Sequence, residues 1–305
     1  MIFIKMITLS YVNFWKDPTN DSYFTDFINI NIGLVKIINY TDNPDILIAS
    51  INGDINIVKN SKAKCKLFYY GENLNRFHPY NNEQLLLDTF DLIVGFKYTD
   101  LEKKQIRFPL WLMYYKFYNY TPEHNLIDYI ETKYKENIKK EHKKISTTLI
   151  CRHDRGGQRT KIYNEIVKNN YCNIYCPGIF NHNTIDKLGL KVEDKINYIS
   201  KSVYNICPEN SAFEGYFTEK IIQAFEGGTI PLYWAIDLPE KGLLNENKYC
   251  FCDIDNPIKL REQIKHVMTN SNYYLKGNVF TDEAPDIIST YYNTLITNIK
   301  IKLNV

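Results

Sequence analysis

The sequence predicts an α/β protein of two compact domains, and three observations carry that reading. Residues 203–234, VYNICPENSAFEGYFTEKIIQAFEGGTIPLYW, place an apolar strand, a polar turn, an amphipathic helix and a second apolar strand end to end. Short apolar runs alternate with helical patterns along the rest of the chain, as in sheets whose strands are joined by helical crossovers. A length of 305 residues is enough for two domains that each bury a core.

Composition narrows the classes. Hydrophobic residues at 44% and charged residues at 24% are ordinary for a globular chain and exclude disorder. A formal net charge of +2 argues against nucleic acid as a partner, while 37 basic residues still allow a local phosphate pocket. The 25 Tyr and 16 Phe are inflated together with Ile, Asn and Lys, so they read as compositional bias and not as sugar-stacking platforms. The seven cysteines are odd in number, and Cys172/Cys176 and Cys250/Cys252 lack partners at zinc-site spacing, which predicts buried thiols in a reducing compartment. The opening MIFIKMITLSYV is too short and interrupted for a membrane span and has no small-residue cleavage site. It reads as a first strand of a soluble, cytoplasmic chain.

Taken in order, the pattern predicts a strand over 5–12, then a loop with Asn13, Phe14, Trp15, Lys16 and Asp17 at its carboxyl end, where ligand grooves form in open α/β sheets. A helix over 23–29 and strands over 35–39, 45–49 and 66–70 follow, the last cut short by Gly71, Glu72 and Asn73, and a further strand covers 91–96. A charged helical stretch over 125–144 has the Lys and Glu run of a solvated face, and the domain boundary is set at its end. The predicted domains are residues 1–144 and 145–285, with a C-terminal helix in 286–305.

The second domain opens with a strand over 145–151, a turn containing Gly156 and Gly157, and a helix running to Lys168. Such a turn lets backbone N–H groups approach a phosphate, and Arg159 on the first helical turn can clamp a diphosphate in its fork. A strand over 171–175, the turn at Pro177 and Gly178, and a helix over 193–200 lead to the strand over 203–207, which Pro208, Glu209, Asn210 and Ser211 break with turn formers. Thr218 suits a helix N-cap, Ile221, Ile222 and Phe225 give an apolar helical face, and Gly227 and Gly228 stop it before a strand over 229–234. A strand over 249–251 and helices over 257–268 and 287–301 complete the chain. Lys220 offers a point cation for a diphosphate, and Tyr216, Glu219 and Asn210 offer a hydroxyl, a carboxylate and an amide for a nucleoside. Singly, each of these residues also reads as a cap, a surface charge or a core hydroxyl.

The order E-N-S, four residues, Y-F-T-E-K, an amphipathic turn and G-T-I-P resembles the α-1,3-fucosyltransferase family. The G-E-N step at 71–73, D-L-I-V-G-F at 91–96, Arg107, Phe108, Pro109, Leu110 and Gly178 extend the match. The resemblance implies a GT-B-like fold, with two Rossmann-like domains facing across a cleft and a C-terminal helix returning over the interface. It implies an inverting transfer of L-fucose from GDP-fucose to a glycan hydroxyl, the linkage being of α-1,3 type. It makes Glu72 the catalytic base, Arg159 and Lys220 the diphosphate cations, and Asn210, Tyr216 and Glu219 further donor contacts. Trp15 would line the sugar or acceptor site, with a core tryptophan as the alternative, and Glu72 taken alone is a solvated loop glutamate. No metal or other cofactor is implied, the two cations doing a divalent ion's work.

Asp253, Ile254 and Asp255 form an Asp-x-Asp triplet, which offers a metal site as one reading, but it stands just before Asn256 and Pro257, where short acids more often end a strand and cap the next helix, and that second reading is preferred. The chain departs from the family pattern at Arg152 and His153, at Pro208 and at Ala235. His153 has no companion at metal-ligand spacing. Golgi members carry a membrane anchor and stem that this sequence lacks, so it is more similar to bacterial or viral members. The departures keep two alternatives open: the same fold acting on another nucleotide sugar, or a non-catalytic glycan- or nucleotide-binding protein. The receiving sugar is not legible, because acceptor-side loops lie where the match is thinnest.

Overall fold

The structure is a computed structural model that describes residues 6–14, 23–115, 122–139, 145–185, 187–189, 191–237 and 240–305. The chain divides into two compact units, one of residues 1–122 with 288–305 and the other of residues 123–287. Each is built on a parallel sheet.

The first unit holds strands β1 (Ile7–Val12), β2 (Val35–Ile37), β3 (Ile46–Ala49), β4 (Cys65–Tyr69), β5 (Leu92–Gly95) and β6 (Gln105–Arg107) in the order β2-β1-β3-β4-β5-β6. Strands such as Ile46–Ala49 and Leu92–Gly95 are buried along their whole length. That is why they read as continuous apolar runs without alternation: helices cover both faces of a parallel sheet. Helices α1 (Tyr23–Asn31), α2 (Ile55–Asn60), α3 (Glu83–Thr89) and α4 (Trp111–Tyr114) complete the unit. Of these only α1 was legible in the sequence, since the others are one or two turns long and show too little 3.6-residue periodicity. The glycine of the D-L-I-V-G-F strand has a steric cause. A Cβ at Gly95 would lie 2.3 Å from the Tyr70 ring. The abundant aromatics are core: Phe24, Phe27, Phe68, Phe90 and Phe108 are each at most 1% exposed.

Helix α5 (Pro122–Ile138) belongs to the second unit, so the division falls at the start of the charged helix and not at its end near residue 144. Its polar run hides buried Leu126, Ile130 and Tyr134, and its Asn137 donates to the Glu226 carbonyl at 2.7 Å. The second sheet contains β7 (Ile145–Leu149), β8 (Ile174–Tyr175), β9 (Ser202–Ile206), β10 (Ile230–Tyr233) and β11 (Cys250–Phe251) in the order β11-β10-β9-β7-β8. Helices α6 (Gln158–Lys168), α7 (Val192–Ile199), α8 (Glu219–Glu226), α9 (Pro257–Thr269) and α10 (Ser271–Leu275) accompany it. Ile162, Ile206, Ile230, Leu232 and Ile264 are among the fully buried residues of its core. Pro231 sits inside this sheet without breaking it. Leu232 O faces β9, accepting from the Cys207 N–H, and Tyr233 O faces β11, accepting from the Cys252 N–H. The missing donor of Pro231 therefore points to the β11 side, where pairing begins only opposite Leu232.

The last helix, α11 (Ala284–Leu303), spans the division between the units. In the first unit its Tyr292 ring packs against Phe27 at 5.9 Å and Phe108 at 5.4 Å.

Both sheets reverse direction beside their first strand, between β1 and β3 in one and between β7 and β9 in the other. Open α/β sheets bind ligands at such points, outside the carboxyl ends of the strands.

Candidate active site

In the second unit the reversal lies between the loops that follow β7 and β9, and one short hydrogen bond ties the two loops together. Arg159, 5% exposed, extends its guanidinium from the second residue of α6 and donates through Nη2 to Asn210 Oδ1 at 2.5 Å and through Nη1 to the His153 carbonyl at 3.0 Å. The helix start that aims it is built locally. Gly157 enters with φ +76°, and the Asp154 carboxylate accepts from the Arg159 N–H at 3.3 Å and from the Thr160 N–H and hydroxyl, both at 2.7 Å. The first-turn donors of Arg159 and Thr160 are thus occupied by the protein itself, and the Arg159 fork is a group this turn can present to a ligand. Gly178 is required nearby because the backbone approaches closely: a Cβ there would lie 2.6 Å from the Cys151 carbonyl.

As expected, β9 ends just before Pro208, at Ile206. Two bonds still tie the loop after it to the β10 side, the Cys207 N–H donating to Leu232 O at 3.1 Å and the Glu209 N–H to Trp234 O at 2.8 Å, while the missing donor of Pro208 faces the other way.

The next residue, Glu209, is the functional side chain that the sequence reading missed. It is fully buried, and its carboxylate accepts from the Thr218 N–H at 2.9 Å, the Thr218 hydroxyl at 2.7 Å, the Tyr233 hydroxyl at 3.0 Å and the Lys220 ammonium at 2.9 Å. Thr218 stands at the N-cap of α8 as expected, but its hydroxyl is turned to Glu209 and makes no cap bond. The available signal was an acid placed directly after a buried strand, which needs a cation within reach. No sequence spacing says that the cation is Lys220.

Lys220 Nζ also donates to Thr218 Oγ1 at 2.7 Å and lies 3.9 Å from the Glu219 carboxylate. Lys195 of α7 lies 3.9 Å from the same carboxylate and donates to Gln223 Oε1 at 2.7 Å. Burial pushes the Lys220 ammonium towards its neutral form, yet Glu209 and Glu219 outweigh this and hold its pKa above the ordinary lysine value. Glu219 is likewise penalised by burial, but Lys220 and Lys195 hold its carboxyl below the usual range. Burial keeps Lys195 below the ordinary lysine value despite Glu219. Cys207 is pushed well up by burial and then by Glu209, so its thiol stays protonated and unreactive. Tyr216, 3% exposed, has its ring edge-on to Phe213 at 6.5 Å.

The structure therefore brings Arg159, Asn210, Glu219 and Lys220 to the carboxyl end of one sheet, with Tyr216 in the segment between β9 and α8. Glu72 lies in the first unit. It is half-buried in the bend three residues after β4, next to Asn73, whose Oδ1 accepts from the Asn75 N–H at 3.0 Å. Nearby strand-end loops are held by Asn13, which donates to Tyr80 Oη at 3.0 Å and to the Asp54 carbonyl at 3.1 Å. Trp15 lies outside the described residues.

The Asp-x-Asp triplet is not a cap, since Asn256 takes that role by accepting from the Lys259 N–H at 3.1 Å. Asp253 pairs with Lys259 at 3.0 Å and Asp255 with Lys161 at 2.8 Å. Among the described residues no three His, Cys, Asp or Glu side chains gather as a metal site, and no helix is long and apolar enough to cross a membrane. All seven cysteines are free.

The N-terminal domain model of the α-(1,3)-fucosyltransferase FucT matches residues 9–114, and the C-terminal model of glycosyltransferase family 10 (fucosyltransferase) matches residues 138–278. The chain belongs to the fucosyltransferases of glycosyltransferase family 10. The α-(1,3)-fucosyltransferase FucT of Helicobacter pylori is 24% identical over 294 residues, which are 88% of this chain and 59% of that relative. This family member thus spans less than two thirds of the length of the curated relative. Its fold is shared with a crystal structure of an α1,3-fucosyltransferase, at a TM-score of 0.67 and 19% identity over 97% of this chain and 91% of the other. A crystal structure of an α1,3-fucosyltransferase with GDP-fucose gives 0.63 and 17% over 95% and 90%. The fold is therefore the GT-B-like one expected, with two parallel α/β sheets.

Proposed function

We propose that this fucosyltransferase-family chain moves L-fucose from GDP-fucose to a glycan hydroxyl with inversion, forming an α-1,3-type linkage. One observation supports this best: two cations at the reversal point of one sheet, each held by one of two adjacent side chains, Arg159 by Asn210 and Lys220 by Glu209. Two fixed positive charges suit a departing diphosphate, whose negative charge grows as the glycosidic bond breaks. In this reading Arg159 forks two phosphate oxygens and Lys220 meets them as a point charge. Asn210, Tyr216 and Glu219 take up the nucleoside and sugar, and Trp15 belongs to the sugar or acceptor side.

Glu72 accepts the proton of the attacking hydroxyl. The acceptor oxygen bonds to the anomeric carbon, the bond from that carbon to the diphosphate oxygen breaks, and GDP leaves with the electron pair. A single displacement enters one face and leaves by the other, hence inversion. The two cations take a divalent ion's place, so no metal is required. The seven free thiols support a reducing, cytoplasmic setting.

The decisive experiment measures donor hydrolysis across GDP- and UDP-sugars, water standing in for the unknown acceptor. Turnover confined to GDP-fucose is expected, and preference for a UDP-sugar refutes the fucosyl reading. A second donor is motivated by the departures from the family pattern at Arg152 and His153, both exposed after β7, and at Pro208.

A further inference from the structure

We infer that Glu209 is a positioning residue for the transfer: it fixes the Lys220 ammonium against the donor diphosphate and keeps it charged, without touching the substrate itself. The inference rests on the donor reading given above and deepens it.

Among the described residues Glu209 has one cation within ion-pair distance, Lys220. Both its carboxylate oxygens are fully buried, and its hydrogen-bonded partners come from three separate places: Thr218 before α8, Lys220 inside α8 and Tyr233 at the end of β10. A buried carboxylate held by a backbone N–H and two hydroxyls is already oriented before the lysine arrives, so the ammonium settles where the carboxylate dictates and not the reverse. Adjacent side chains of one loop then hold the two cations at fixed sites, since Asn210 holds Arg159. Glu209 has no exposed surface from which to reach a ligand, whereas Asn210 and Lys220 are only partly buried.

The charges around Lys220 make the role specific. Glu209 faces it from the loop after β9, Glu219 from its own helix, Lys195 from α7 across Glu219, and Arg159 from α6. Two carboxylates therefore oppose two other cations, and burial favours the neutral amine. With Glu209 neutral, Glu219 alone, at 3.9 Å and shared with Lys195, is left to keep Lys220 protonated. The loss of donor affinity at alkaline pH should then set in at lower pH.

The test is a cycle of Glu209→Gln and Lys220→Met, read as GDP dissociation constants against pH by calorimetry, with circular dichroism and melting as folding controls. Glu209→Gln is expected to weaken GDP about ten-fold or more, on the scale of one charge-assisted hydrogen bond, and to move the alkaline limb to lower pH. In the Lys220→Met background the same change should cost nothing further, because the group it positions is gone. Equal losses in both backgrounds, or an unmoved limb, overturn the inference. If Glu209→Gln does not fold, Tyr233→Phe removes one donor to the carboxylate and must give a smaller loss with the same dependence on Lys220; additive loss overturns the inference in that form too. Failure of the donor reading looks different, since GDP affinity would then be unchanged by Lys220→Met itself.

Discussion

Replacing Arg159 by alanine separates binding from stability, because the structure says what each should lose. The guanidinium is 5% exposed and donates to the His153 carbonyl at 3.0 Å and Asn210 Oδ1 at 2.5 Å. Both acceptors belong to residues that water reaches, so leaving them unpaired should cost about 1 kcal/mol each, at the low end for lost partners, and the buried Asp154 carboxylate, 3.8 Å from Nη1, loses a cation while keeping its bonds to the Arg159 and Thr160 N–H groups and the Thr160 hydroxyl. The helix start survives, since Asp154 accepts from backbone N–H groups that alanine retains. A loss of at least about 2 kcal/mol against a typical stability of about 5–15 kcal/mol leaves the protein folded, with a melting point lower by roughly 4–8 °C or somewhat more. Binding should suffer more. Two charge-assisted hydrogen bonds to phosphate, at about 1.5–3 kcal/mol each, amount to two orders of magnitude or more in the GDP dissociation constant. Calorimetric titration well below the melting point measures this, with Arg159→Lys as an intermediate that keeps the charge and loses the fork. A folded Arg159→Ala protein that binds GDP within two-fold of the unmodified chain refutes the phosphate role and the mechanism built on it.

Other expectations follow from the same geometry. Glu72→Gln should lower kcat by about 10²–10⁴ while leaving GDP affinity intact, and unchanged turnover would remove Glu72 as the base. Turnover should persist in EDTA; loss that magnesium or manganese restores would count against a cation-only diphosphate site. Glu219 carries an acid-side prediction, because its folded pKa is lowered below the reference value of 4.5. Its contribution to stability is complete above that reference value and is lost as pH falls through the lowered folded value. Thermal melts between pH 7 and pH 3 should show a shallower acid decline for Glu219→Gln, and an identical slope would mean that the Lys195 and Lys220 pairing contributes nothing.

All the described strands but β6 were legible, because a strand buried on both faces tends to be an apolar run, and the cut at 71–73 is a run of turn formers; β6, Gln105–Arg107, is three residues with a polar one at each end and gave no such signal. Helix α6 was placed with its end at Lys168 as observed, its glycine turn and its apolar period marking both limits. The domain boundary was misplaced for a physical reason. Helix α5 looks solvated by composition, yet Leu126, Ile130 and Tyr134 form a buried stripe that assigns it to the second unit. Pro208 and the turn formers after it were read as the end of a strand, and β9 ends at Ile206.

What the sequence determined by itself was chemistry in order: a glycine turn before Arg159, an acid after a strand at Glu72, and the spaced run that contains Asn210, Tyr216, Glu219 and Lys220. Such residues can be read without a structure because they stand at strand ends and helix starts, which local chain rules fix. The pairing of charges was decided only by the tertiary structure. Arg159 meets Asn210 from 51 positions away, Glu209 meets Lys220 across a turn and Tyr233 across the sheet, and Lys195 reaches Glu219 from another helix. Partners of that kind are set by which strands lie side by side, and strand order is a property of the packed sheet that no local pattern encodes.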